Sequence, residues 1–111
     1  MSKKVDVKIG KWVGSVEIAD PLTIPQAQLI EQGMKPIDGG EDGKVFLSQI
    51  DANQLPAVIA CVEKWDVTNI PENATLDNFP ASPRKASHDL VDHIWREVLK
   101  VYLGEATIPN E

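Results

Sequence analysis

Hydrophobic and polar residues alternate at the start of the chain. Val5, Val7 and Ile9 interleave with Asp6, Lys8 and Gly10, and Trp12, Gly14, Val16 and Ile18 form a second set of the same period. A period of two marks a strand with one buried face. Gly10-Lys11 separates the two sets, where a tight turn needs a residue that tolerates positive φ. The pattern predicts a β-hairpin over 4–19, ended by Asp20-Pro21. From Thr23 the signal changes. Thr23 is placed as a helix N-cap, Gln26 as its capping-box partner and Pro25 in the first turn, so a short helix is expected over 24–33, closing near Gly33.

A second helix is expected over 53–65. Leu55, Val58, Ile59 and Val62 recur at spacings of three and four, and Cys61 and Trp65 widen that face. Asn53 is the natural cap and Pro56 belongs in the first turn. Val45-Phe46-Leu47 fits either a strand or a helical lead-in, and 66–81 reads as loop. The strongest pattern predicts a helix over 83–103. Ala86, Leu90, Ile94, Val98 and Tyr102 share one face, with Ser82 as cap, Pro83 at the first position and Gly104 as the stop. Residues 105–111 form a loose tail. The expected fold is α+β: one domain over 1–111, an N-terminal hairpin packed against about three helices, the longest C-terminal.

Composition narrows the class. With 111 residues, 42% hydrophobic and 25% charged, the chain is an ordinary globular one that can bury a core. Its one cysteine, Cys61, cannot form an internal disulfide. The start of the chain has no apolar run of a secretory signal, and no stretch approaches the ~18 residues of a membrane span. The expected location is therefore cytoplasmic. Seventeen acidic against eleven basic residues give a net charge of −6, and the bases are dispersed. Such a surface disfavours nucleic acid.

Candidate chemistry is sparse. Gly43-Lys44 echoes a phosphate loop, but Asp38 and Val45 stand where that motif needs Gly and Ser or Thr. Asp38, Asp42 and Gly43 echo a calcium loop, which fails at Gly40 and Gln49. His88, Asp89, Asp92 and His93 lie one helical turn apart in pairs and could ligate a transition metal. A solvated helix face explains them better, with Lys85–Asp89 and Asp92–Arg96 as ordinary ion pairs four apart. Cys61 sits among Val58, Val62 and Trp65, a core setting and not that of a reactive thiolate. No catalytic residue, cofactor or metal is expected. The aromatics carry more information: three of six are Trp. Trp suits a core edge or an interface, and Trp12 on its short hairpin divides evenly between the two.

The order of short motifs resembles a known family. A hairpin with Trp and Gly-Ser-Val precedes Asp20-Pro21-Leu22-Thr23 and Gln26. Leu55-Pro56, Cys61-Val62-Glu63-Lys64-Trp65 and Phe79-Pro80-Ala81-Ser82-Pro83-Arg84 follow. Tyr102-Leu103-Gly104-Glu105 and Ile108-Pro109-Asn110-Glu111 close the chain. This is similar to the small tail assembly chaperones of long-tailed bacteriophages and prophages, over most of the chain except 35–44. The resemblance implies a soluble α+β protein of the bacterial host cytoplasm, without catalytic residues. It implies binding of the long apolar tape-measure protein before the tail polymerises, engagement of tail-tube subunits, and self-association. For the apolar contact the expected residues are Trp12, Leu29 and Ile30, since the two stronger stripes are needed for the core. Two other classes stay open: an acidic DNA mimic or other protein inhibitor, and a small metal-dependent enzyme.

Overall fold

The computed structural model describes residues 2–35, 47–79 and 85–106. Two strands open the fold, β1 (Ser2–Ile9) and β2 (Trp12–Ala19), paired antiparallel from Ser2↔Ala19 to Ile9↔Trp12. Only two residues, Gly10 and Lys11, join them. Gly10 takes φ +56°, as a two-residue hairpin with positive φ at its first central position requires.

Helix α1 (Ile24–Gly33) begins as its sequence dictates. Thr23 N–H donates to Gln26 Oε1 at 2.8 Å, and Gln26 N–H donates to Thr23 Oγ1 at 3.3 Å. The capping box also fixes a packing contact, because Gln26 Nε2 donates to the Ala60 carbonyl at 2.9 Å. That carbonyl lies in the last turn of α2 (Leu47–Cys61), where intrahelical donors run out.

The region after α2 corrects the expected helix over 53–65. The helix stops at Cys61, and β3 (Val62–Val67) follows as the third strand of an antiparallel sheet ordered β1-β2-β3. Trp65 is therefore a strand residue. The register slips by one between Glu17 and Ile18, so that Glu17 pairs Lys64 while Ile18 pairs Val62. This bulge leaves Glu63 and Lys64 both exposed between buried Val62 and Trp65. A spacing of three results, which imitates a helix. Asn53 and Pro56 are corrected too: both lie inside α2 rather than at its start. The Asn53 side chain donates to the Gly33 carbonyl at 2.9 Å instead of capping. Pro56 removes one helical donor, and Ala52, whose carbonyl loses that bond, is exposed to water.

Helix α3 (Lys85–Ala106) is the longest element and runs through Gly104, expected as its stop. Of the ambiguous Val45-Phe46-Leu47, only Leu47 is described, and it begins α2. The proposed cap Ser82-Pro83 and the tail beyond residue 106 lie outside the described residues. The fold is α+β: an N-terminal hairpin, extended into a three-stranded sheet by β3 from the middle of the chain, with the longest helix C-terminal.

One face of the sheet carries the core. Val5, Val7, Trp12, Val16, Ile18, Val62, Trp65 and Val67 point to the helices, where Ile30, Val58, Cys61, Leu90, Val91, Ile94, Trp95 and Val98 meet them. Two glycines permit close approach. Gly14, at φ +150°, lets β3 come so near that a Cβ would overlap the Asp66 carbonyl. At Gly33 a Cβ would come within 2.7 Å of Trp95 Cη2 and 3.0 Å of the Asn53 carbonyl. Gly33 is thus the point where α1, α2 and α3 converge.

Candidate protein-binding surface

The residues expected to make the apolar contact are placed differently by the structure. Trp12 is 3% exposed. It is in phase with Val16 and Ile18 along β2, so the pleat turns it inward. Lys11 Nζ lies 5.3 Å from the centre of its ring, and its Nε1 has no hydrogen-bond partner among the described residues. Ile30 is fully buried, on the side of α1 that carries Gly33 and docks on the other helices. Leu29 is half-buried against the same core. The free protein thus keeps Trp12 and Ile30 for its own packing.

Apolar surface lies elsewhere. Ile24, Met34, Leu103, Val13 and Leu76 are the large apolar side chains exposed among the described residues, and Ile24 is 76% exposed. Ile24 opens α1 and Met34 caps its other end. Leu103 follows Tyr102, whose hydroxyl donates to Glu31 of α1 at 2.8 Å. The glutamate holds the Tyr102 phenol above its ordinary pKa, because the hydrogen bond favours the protonated form. Three of the five exposed apolar side chains therefore belong to α1 and the adjoining end of α3. Periodicity carried a signal for Leu103: it stands nine residues after Ile94, about 180° round the helix from the buried stripe.

The outward face of the sheet is charged instead. Lys4, Glu17 and Lys64 lie in one row across the strands, and Asp6, Ser15 and Asp66 in the next. Lys64 Nζ is 3.8 Å from Glu17 Oε2, and Ser2 Oγ donates to Glu17 Oε1 at 2.9 Å. A shallow depression of about 180 Å³ is lined by Lys4, Ser15, Glu17, Lys64 and Asp66. Its carboxylates alternate with ammonium groups, whereas mimicry of a nucleic-acid backbone calls for uninterrupted rows of acids.

The His88–His93 cluster is dispersed by the fold. His88 is not on a solvated face: its Nδ1 is 2.8 Å from Oδ1 of Asp51, a buried residue of α2. A carboxylate only accepts, so Nδ1 carries the hydrogen. His93 turns the other way and donates from Nε2 to the Asp6 carbonyl of β1 at 3.0 Å. Asp92 pairs with Arg96 at 2.8 Å, as its four-residue spacing predicts. Among the described residues no group of three or more His, Cys, Asp and Glu is gathered where it could hold a metal ion. Cys61 is fully buried in the core, where its sequence setting put it. Asp51 is the residue that sequence reasoning missed, because its partner is 37 positions away and only the pairing of α2 with α3 joins them.

Among the described residues no helix is long and apolar enough to cross a membrane. Comparison with protein-family models, curated proteins and solved structures finds no match to this chain.

Proposed function

We propose that this protein is a protein-binding assembly factor, and that it acts as the tail assembly chaperone its sequence resembles. Its partner is the tape-measure protein, whose amphipathic helices expose an apolar stripe until the tail is built. The observation that carries the reading is the separation of surfaces. Three of the five exposed large apolar side chains, Ile24, Met34 and Leu103, belong to α1 and the end of α3, while the sheet turns a mixed-charge face outward. An apolar helix laid on the first surface leaves the second in water. The −6 net charge then holds coated complexes apart. Each contact is small, and many copies along one long partner add up through multivalency.

The contact residues change accordingly. Ile24 and Leu103 take the place of Trp12 and Ile30, and Leu29 stays at the border of the surface. The reading is tested with synthetic peptides covering apolar helical segments of the tape-measure protein from the same genome. Binding that slows amide exchange in α1 and in the last turns of α3 supports it. Peptides that leave those amides unprotected at saturation overturn the choice of surface, and peptides that do not bind overturn the function.

A further inference from the structure

The two outer edges of the sheet are treated differently. On β1, His93 donates to the Asp6 carbonyl and Lys3 pairs with Glu97 at 3.1 Å, so α3 guards that edge. On β3 no such guard exists among the described residues. Hydrogen-bonded and non-bonded pairs alternate along an antiparallel ladder, and two contacts fix the phase here. Thr68 N–H donates to the Val13 carbonyl at 3.0 Å, so Val13 turns its main-chain groups towards β3. Asp6 gives its carbonyl to His93, so Asp6 and Ser15 are a non-bonded pair of β1 and β2. Both give one phase: Ser15–Asp66 and Glu17–Lys64 are bonded pairs, and Val16–Trp65 is not.

Trp65 therefore directs both its N–H and its C=O away from β2, to the outer edge. The neighbouring outward carbonyl, on Val67, is already taken by Ile70 N–H at 3.2 Å. The edge opens on a groove of about 380 Å³ lined by Glu63, Lys64, Trp65, Asp66 and Glu72. The Trp65 side chain is buried with Phe79 edge-on at 5.4 Å, so its backbone is what faces the groove.

We propose that β3 pairs antiparallel with β3 of a second copy of this chain, about a two-fold axis between the two Trp65 residues. Each Trp65 N–H then donates to the Trp65 carbonyl of the other copy. Charge selects this register. Lys64 and Asp66 flank Trp65 on the outward face, so each Lys64 stands opposite Asp66 of the second copy, and symmetry makes two such pairs. The adjacent two-fold registers set Lys64 against Lys64 or Asp66 against Asp66, and like charges directly opposite are unfavourable. The product is a continuous six-stranded sheet with both helical layers on one side. Strand geometry and charge set this pairing, whichever protein the exposed apolar side chains bind.

The test is sedimentation equilibrium on the free protein with charge-swapped variants. Both positions are exposed and the Lys64–Glu17 contact that K64E loses is a 3.8 Å surface pair worth little, so the fold survives the changes, which circular dichroism verifies. Wild type forms dimers. Lys64→Glu and Asp66→Lys each set two like-charge pairs across the axis and weaken dimerisation about tenfold or more. An equimolar mixture of the two variants dimerises again, and so does the double variant K64E/D66K, because both restore opposite charges. Wild type that stays monomeric at about 1 mM, where even a weak self-association registers, overturns the proposal. Single variants that dimerise like wild type overturn it, as does a mixture of monomeric variants that fails to recover.

Discussion

Replacing His88 by Ala should destabilise the protein far more than a surface substitution does. His88 donates to Asp51 at 2.8 Å, and the two side chains are 20% and 11% exposed. Removing the imidazole leaves a carboxylate with little water and without that donor. For a fully buried pair such a loss costs roughly 3–5 kcal/mol. Solvent reaches the edge of this one, so the expectation falls to about 1.5–3 kcal/mol, the range for hydrogen bonds to charged groups. Asp51→Ala should cost less, about 1–2 kcal/mol, because the His88 side chain, 20% exposed, can turn to water. The double variant should cost less than the sum, with a coupling of about 1–2 kcal/mol. Replacing both residues by apolar side chains of similar size should come close to neutral. Urea unfolding of these five proteins, wild type included, at constant slope provides these values. His88→Ala costing under ~0.5 kcal/mol, the range of an uninvolved surface site, would refute the pairing as a stabilising contact.

Three further outcomes test the packing. Ile94→Ala, fully buried in the centre of α3, should cost about 2–5 kcal/mol in the same melts. Gly33→Ala should destabilise by about 1–2 kcal/mol although Ala favours helix, because the new methyl meets buried Trp95 and the Asn53 carbonyl; a gain in stability would show that α1 sits further away. Lys100, donating at 2.9 Å and helped by Lys3, holds Glu97 below its ordinary pKa against the opposing effect of partial burial. The folded carboxyl therefore binds its proton less readily than the unfolded one. Its stabilisation is present above the ordinary carboxylate range and is lost as pH falls through the lowered value. Glu97→Gln should flatten the acid side of the stability profile, and an unchanged profile would show that the network contributes nothing.

How much of this was readable in the sequence depends on the range of the interaction responsible. The hairpin, α1 and its capping box are local: Thr23 and Gln26 are three residues apart, and the turn needs only Gly10 and Lys11. They appear where the pattern placed them. Helix α3 is set by one long stripe, and its position is right to within a few residues. The misreading at Val62–Val67 has a definite cause. A bulge breaks the period of two, so Val62 and Trp65 fall three apart and continue the spacing of α2. No local pattern distinguishes that from a helix, because the partner that forces the bulge is β2, more than 40 residues earlier.

The surface was harder to read than the core. Trp12, beside glycines on a short hairpin, suits core edge and interface equally, and its phase with Val16 and Ile18 is the better guide: it is buried. Ile30 looked spare because α1 carries a weak stripe, but α1 docks on α2 and reaches α3 at Gly33, which buries Ile30. His88 looked solvated because its partner Asp51 belongs to another helix. Each case turns on which residues a distant element covers, and a single sequence leaves that open.

The most direct test of the chaperone reading is co-expression with the longest tail protein encoded in the same genome, the tape-measure protein. Its soluble fraction is measured with no partner, with wild type, and with Ile24→Asp/Leu103→Asp, a variant that places charge on the exposed apolar surface and spares the core. The reading predicts that wild type raises the soluble fraction several-fold and copurifies with the tape-measure protein, while the folded double variant does neither. A tape-measure protein equally soluble with and without this chain contradicts the proposed function.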